Sequence, residues 1–250
     1  VNHVPASGEW IRRAGEDIEA GSEILPAGTR LSPQALGLAA SVGQAKLDVV
    51  RRVRVAVFFT GDELAMPGEP LKPGAIYNSN RFTLRGLLEN LGCEVADFGI
   101  VPDTLAATRD TLRRAAEGND LIITSGGVSV GEEDHIRPAV TAEGRLDLWQ
   151  IAIKPGKPLA FGEVNGKPWI GLPGNPAAAL ITSLVVARPF LLSAQGCTEV
   201  LPKPLRLTAG FAWRKPNNRR QYLRARLEQV DGEMRVCLHP RQGSAMLTSA

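Results

Sequence analysis

The chain has 250 residues, 44% of them hydrophobic and 22% charged, and a net charge of +3 at neutral pH. This describes an ordinary soluble globular protein with enough apolar material for a core, arranged as one large domain or two to three small ones. So small a charge gives no reason to invoke nucleic acid or an anionic membrane as the main partner, no apolar run reads as long enough to span a bilayer, and no signal peptide is expected.

Cys93, Cys197 and Cys237 are widely spaced and form no C-x-x-C pair. They read as reduced thiols of a cytoplasmic protein, neither a disulfide frame nor a zinc site. The chain opens on Val1 within sequence that reads as structured, so a fragment is expected.

In chain order, a short β-like piece is expected about Trp10 and Ile11, then turn chemistry at Pro26-Ala27-Gly28-Thr29. Ser32-Pro33 is a helix start, with Ser as N-cap and Pro at the first helical position, and Gly43 a stop. From Arg54 the pattern becomes repeated β–α units. Val53–Phe59 reads as a strand, and Asn80–Leu91 as a helix whose apolar face is closed by Gly92. Glu94–Ile100 is a second strand and Thr104–Ala116 a second helix of this region. Leu121–Ile123 is a buried strand opening into Thr124-Ser125-Gly126-Gly127-Val128-Ser129-Val130-Gly131. Two β-like runs about Leu159–Phe161 and Trp169–Leu172 are joined through Asn165-Gly166, a hairpin signal, and Pro176–Leu192 reads as a long apolar helix. Such alternation argues for an α/β fold, a mostly parallel sheet with helices on both faces. Beyond Gly196, Leu205–Trp213 reads as a strand, and Asp231-Gly232 turns Gln221–Val230 into a hairpin of a small β domain. The expected boundaries are 1–52 for a supporting part, 53–196 for the α/β domain and 197–250 for the β domain.

Ligands of open α/β sheets bind beyond the carboxyl ends of the strands, and the unusual segments fall there. Strand one runs out into Thr60-Gly61-Asp62-Glu63, and strand two into Pro102-Asp103. Strand three opens into Ser125-Gly126-Gly127 and, further on, Ser129 and Asp134; the last runs into Pro173-Gly174-Asn175-Pro176 at a helix start. Lys154-Pro155-Gly156-Lys157-Pro158 adds two cations on a stiff loop. Glycines let backbone approach a ligand closely, and backbone amides with hydroxyls make an anion site. Glu63, Asp103 and Asp134 could hold Mg²⁺ or position water, while the loop, Lys154 and Lys157 hold anionic groups. That is the make-up of a phosphoanhydride or phosphoryl site. Each segment taken alone also reads as a solvated turn, and Asp103 as a helix N-cap.

The usual nucleotide, dinucleotide and zinc-protease motifs are missing from the sequence. Gly127-Val128-Ser129-Val130-Gly131 does match a nucleophile elbow after a strand, with His239 in the right order for a hydrolase. The acids Glu132-Glu133-Asp134 replace the apolar helix that an elbow needs, which argues against that reading.

Together TGDEL (60–64), IYNSN (76–80), LGCEV (91–95), TSGGVSVGEEDH (124–135), IKPGKP (153–158) and GLPGNP (171–176) resemble the molybdopterin molybdenumtransferases of molybdenum-cofactor biosynthesis, including the gephyrin E domain. The resemblance covers the whole chain. It implies part of an elongated support domain, a molybdopterin-binding (MogA-like) α/β domain and a C-terminal β-barrel-like domain, with the family's N-terminal portion and the end of the barrel lacking. The implied reaction inserts molybdate into adenylylated molybdopterin and releases AMP in a Mg²⁺-dependent step. The family's acids fall on Glu63, Asp103 and Asp134, with Glu63 and Asp134 as metal ligands. Its functional prolines fall on Pro173 and Pro176, its basic loop on Lys154 and Lys157, and an arginine of its last domain on Arg219. A cytoplasmic homodimer in transient contact with molybdopterin adenylyltransferase is implied as well.

Three departures stand out. Asn78 replaces an Asp of many relatives, Ala178 replaces a Ser, and Phe59 replaces a small residue. Two rivals remain: the sister activity that adenylylates molybdopterin with Mg-ATP, and a non-catalytic gephyrin-like scaffold. The segments flanking the α/β domain argue against the first, and the intact acids against the second.

Overall fold

The structure, a computed structural model, describes residues 3–128, 135–213 and 217–249. It divides into two compact units, one of residues 1–50 with 196–199 and one of residues 51–195 with 200–250.

The first unit is turn-rich and carries one helix, α1 (Pro33–Ser41), among its described residues. The Ser32 side chain accepts from the Ala35 amide at 3.2 Å, which satisfies one of the orphan donors of the first turn, and Pro33 follows as the pre-organised first residue. No strand forms about Trp10 and Ile11. Residues 7–10 are turns, and Trp10 takes φ +64°. An apolar pair without alternating neighbours gives a strand nothing to pair with.

The second unit is built on a six-stranded sheet. Its strands are β1 (Arg54–Thr60), β2 (Glu94–Val101), β3 (Leu121–Ser125), β4 (Gly144–Trp149), β5 (Ala160–Val164) and β6 (Lys167–Leu172). The order across the sheet is β2-β1-β3-β6-β5-β4. The first four are mutually parallel; β5 runs against β6 on one side and β4 on the other. The sheet is therefore mixed but mostly parallel.

Alternation along β1 shows why helices cover both faces. Val55, Val57 and Phe59 point into one core with Leu84, Leu88, Ala187 and Leu191. Ala56 and Phe58 point into the other, with Leu112, Ala115, Ile136 and Val140. Helices α2 (Ser79–Asn90), α3 (Leu105–Ala116), α4 (Ile136–Glu143) and the long helix from Pro176 to Ala194 supply those side chains. A strand apolar at every position from Val55 to Phe59 must be buried on both faces, and this one is. The β5–β6 hairpin turns through Asn165 (φ +46°) and Gly166 (φ +76°), the positive pair that a two-residue turn requires.

The 176–194 helix corrects one expectation, because by length and composition it could cross a membrane. Its buried Ala177, Ala178, Ala179, Leu191 and Leu192 account for the apolar character as core packing. Residues 183–187 form a π-helical segment within it. Helix α4 and strand β4 are additional to the elements expected from the sequence. Strands β7 (Thr208–Ala209), β8 (Ala225–Val230) and β9 (Glu233–Leu238) form a small sheet in the order β7-β9-β8. Of the strand expected over 205–213 only Thr208 and Ala209 pair, in parallel with Arg235 and Val236. Asp231 (φ +51°) and Gly232 (φ +79°) make the expected hairpin turn.

Candidate active site

Parallel strands put their carboxyl ends on one edge, and a cleft of about 1060 Å³ opens there. Thr60, Gly61 and Glu63 enter it from the end of β1, Asp103 from β2, and Ser125, Gly126 and Gly127 from β3. Pro173, Gly174, Asn175 and Pro176 enter from β6, joined by Lys154, Lys157 and Arg219. Asp62, expected among the substrate-binding residues, does not line the cleft; its carboxylate accepts from the Asp103 amide at 3.4 Å. Ser129 and Asp134 lie outside the described residues. His239 is not a cleft residue, and its Nδ1 accepts from the Arg241 amide at 3.1 Å.

The glycine loop passes directly over the end of β1. A Cβ on Gly126 (φ +99°) would fall 2.3 Å from the Thr60 carbonyl oxygen. One on Gly127 (φ +61°) would fall 2.6 Å from Ile136 Cγ1 and 2.8 Å from Thr60 Oγ1. Only glycine meets both the dihedral and the space requirement.

Asn80 holds this floor together. Its Nδ2 donates to Ser125 Oγ at 2.9 Å and to the Gly174 carbonyl at 2.8 Å, while Ser125 Oγ donates to the Pro173 carbonyl at 2.9 Å. One amide thus ties helix α2 to two loops. The sequence reading missed it, although a signal existed. Asn80 shares a buried helical stripe with Leu84 and Leu88, and a polar residue in such a stripe needs partners. Asn78 caps α2, its Oδ1 accepting from the Arg81 amide at 3.2 Å. Thr60 Oγ1, Asn78 Nδ2 and Asn80 Oδ1 are buried without a hydrogen-bond partner among the described residues.

The cation loop is fixed from two sides. Pro155 and Gly156 are buried, whereas Lys154 and Lys157 are exposed. Residues 153–154 pair in parallel with Arg220 and Gln221, and the Tyr222 amide donates to the Lys154 carbonyl at 2.8 Å. This pairing carries Arg219 from the C-terminal region to the same cleft as both lysines.

A second contribution from that region was not foreseen. Gln242, Gly243, Ser244 and Ala245 line the cleft, and the Ser244 carbonyl accepts from the Ala177 and Ala178 amides. Buried Arg224 holds this strap, donating to the Gly243 carbonyl at 2.9 Å and to Ser249 Oγ at 3.0 Å. Burial lowers the Arg224 pKa from its ordinary value. No three His, Cys, Asp or Glu side chains gather into a metal cage among the described residues. Glu63 and Asp103 are the described acids of the cleft, a donor set that suits a cation completed by ligand oxygens and water.

Three family models match the chain. Residues 56–193 match the probable molybdopterin binding domain, residues 1–43 the MoeA N-terminal region (domain I and II) and residues 206–250 the MoeA C-terminal region (domain IV). A molybdopterin molybdenumtransferase of Haemophilus influenzae is 45% identical over 195 residues, covering 78% of this chain and 48% of the relative. Molybdopterin molybdenumtransferase 2 of Mycobacterium tuberculosis is 41% identical over 237 residues, 90% of this chain and 57% of the relative. The crystal structure of a molybdopterin biosynthesis MoeA protein from Pyrococcus horikoshii superposes with a TM-score of 0.73 at 31% identity. That superposition covers 94% of this chain and 57% of the other. The chain spans about half the length of the curated relatives it matches.

Proposed function

The chain belongs to the family of the probable molybdopterin binding domain, and from that membership we propose that it inserts molybdate into adenylylated molybdopterin with release of AMP. One observation carries the reading: acids, a glycine loop and cations contributed by five separate stretches of chain converge on one cleft. Relatives named molybdopterin molybdenumtransferase support the same class of transfer.

In this reading the Ser125–Gly127 loop and the Asn80 network shape the floor on which the pterin substrate lies. Lys154, Lys157 and Arg219 hold molybdate and phosphate oxygens, drawing the two negatively charged substrates together against their mutual repulsion. Thr60, Gly61, Pro173, Gly174, Asn175 and Pro176 complete the substrate-binding surface, and Asp62 supports it through the Asp103 amide. Glu63 and Asp103, with Asp134 outside the described residues, would hold Mg²⁺. The ion would neutralise charge on the phosphate that leaves as part of AMP. The reading also includes a cytoplasmic homodimer that receives its substrate from molybdopterin adenylyltransferase, and domain boundaries near 52 and 196.

The test is product analysis. Purified protein supplied with adenylylated molybdopterin and Mg²⁺ is expected to release AMP only when molybdate is added. AMP release that ignores molybdate, or ATP consumption in the presence of molybdopterin, would overturn the proposal; the latter would assign the sister activity.

A further inference from the structure

We propose that Thr182 is a positioning residue for the Lys154–Lys157 loop, acting through a methyl-to-backbone contact with Gly156. The inference rests on the reading of that loop as an anion-binding element.

Thr182 is fully buried, and its hydroxyl donates back to the Ala178 carbonyl at 2.8 Å and lies 3.1 Å from the Ala179 carbonyl oxygen. These bonds hold the side-chain torsion, and with it the direction of the γ-methyl. The methyl faces Gly156. A Cβ built on that glycine would fall 2.4 Å from Thr182 Cγ2 and 3.1 Å from Ile153 Cδ1, and Gly156 takes φ +111°. The backbone of the loop therefore rests on the methyl with no side chain between them. Residues on either side of the seated segment, Lys154 and Lys157, are exposed at the cleft.

Thr182 also sits at a change in its own helix. Ser183 Oγ donates to the Ala179 carbonyl at 2.7 Å, and residues 183–187 then follow a π-helical path. Two consecutive hydroxyls returning to carbonyls of the preceding turn compete with the regular ladder, and Pro189, which has no amide to donate, stands just beyond the wider turn. The same helix starts at Pro176 in the cleft wall. One rigid element thus supplies part of the wall and the seat for the loop that brings the cations. A displaced seat would move both amines relative to the wall, and misplacement of about 1 Å is enough to weaken an oriented site many-fold.

Two near-isosteric variants separate seat from scaffold. T182S keeps both hydroxyl bonds and removes the methyl; T182V keeps a branched methyl and removes the hydroxyl. We expect T182S to raise the molybdate concentration for half-maximal AMP release by about fivefold or more, with turnover at saturating molybdate close to that of the parent. T182V, whose strongly preferred helical rotamer keeps a methyl towards Gly156 without the hydroxyl bonds, should leave that concentration unchanged while lowering the melting temperature. G156A should raise it further, and adding T182S to G156A should give less than the combined defect, because the missing methyl makes room for the new Cβ. Equal molybdate dependence in T182S and the parent, or equal shifts in T182S and T182V, would overturn the proposal. K157A provides the control. A shift in K157A without one in T182S rejects the seat alone, whereas no shift in K157A rejects the anion-binding reading of the loop and the seat with it.

Discussion

Ser244 caps the helix that opens at Pro176: its carbonyl oxygen lies 2.9 Å from the Ala177 nitrogen and 3.2 Å from that of Ala178. Two of the helix's free N-terminal donors are thereby satisfied by a strap from the C-terminal region. Those two amides are therefore already engaged, and in the proposed reading an oxyanion would depend on the cation loop and Arg219 instead.

Arg224 keeps that cap in place. R224A should lower stability by about 2 kcal/mol, since the buried Ser249 hydroxyl and the Gly243 carbonyl lose a charged donor. It should also speed hydrogen exchange at the Ala177 and Ala178 amides relative to the rest of the helix. Unchanged exchange at those two sites would show that the strap is held by other contacts.

The acids of the cleft give a second prediction. E63Q should retain the fold and reduce AMP release by about 10²-fold, the size of effect typical for loss of a main electrostatic contribution. Raising Mg²⁺ should partly restore turnover if Glu63 acts through the ion. Circular dichroism and AMP release at several Mg²⁺ concentrations check both statements.

Gly127 gives a third. G127A adds a Cβ into Ile136 and Thr60 at a positive φ, so it should destabilise the protein by about 2 kcal/mol. Fluorescence-monitored binding well below the melting temperature should still show weakened pterin affinity, because the loop must shift to admit the methyl. A melting temperature like that of the parent would contradict the packing described for this loop.

Arg219 gives a fourth. R219K keeps the charge but replaces a planar fork by a point charge. It should raise the molybdate concentration for half-maximal AMP release and leave binding of adenylylated molybdopterin nearly unchanged. Identical molybdate dependence would leave Arg219 as a solvated turn residue whose amide is merely tied to Asn217 Oδ1.

Asp120 supplies a pH-dependent prediction outside the cleft. Hydrogen bonds from the Arg51 guanidinium, helped by the Arg54 amide, pull its pKa from the usual carboxylate range to about 2. The folded value lies below the unfolded one, so the stabilisation is present above about pH 4 and is lost as pH falls towards 2. Because the Arg51 side chain is largely exposed, the contribution is discounted to about 1 kcal/mol. D120N should therefore cost about that much at pH 7 and little near pH 2, as measured by urea unfolding at the two pH values.

Local pattern was enough to place β1, β2, β3 and the long helix within a residue or two. Apolar runs bounded by Gly, Asn and Asp depend on neighbours in sequence. It also collected Glu63, Asp103, Gly126 and Lys157 near one edge, because strand direction alone decides which loops share that edge. It could not show why Arg219 belongs with them. That depends on Arg220 pairing with Ile153, a contact between distant segments that leaves no periodicity in either. Helix α4 is short, and the helical spacing of Ile136, Ala139 and Val140 spans too few residues to stand out beside the polar run before it. The Ser244 cap uses a backbone carbonyl, which every residue possesses and no sequence advertises.

The order of synthesis gives the Asn80 amide a further meaning. Its partner at Gly174 is made 94 residues later, and Ser125 has to wait for Pro173. During translation helix α2 and strand β3 emerge well before the segment that fixes them to one another. A nascent chain halted anywhere before residue 174 would expose an unfinished floor with an unsaturated amide at its centre. In the proposed reading, affinity for the pterin substrate should then not arise before the β6 loop and the helix behind it, which brings Ala187 and Leu191 to the core, have left the ribosome.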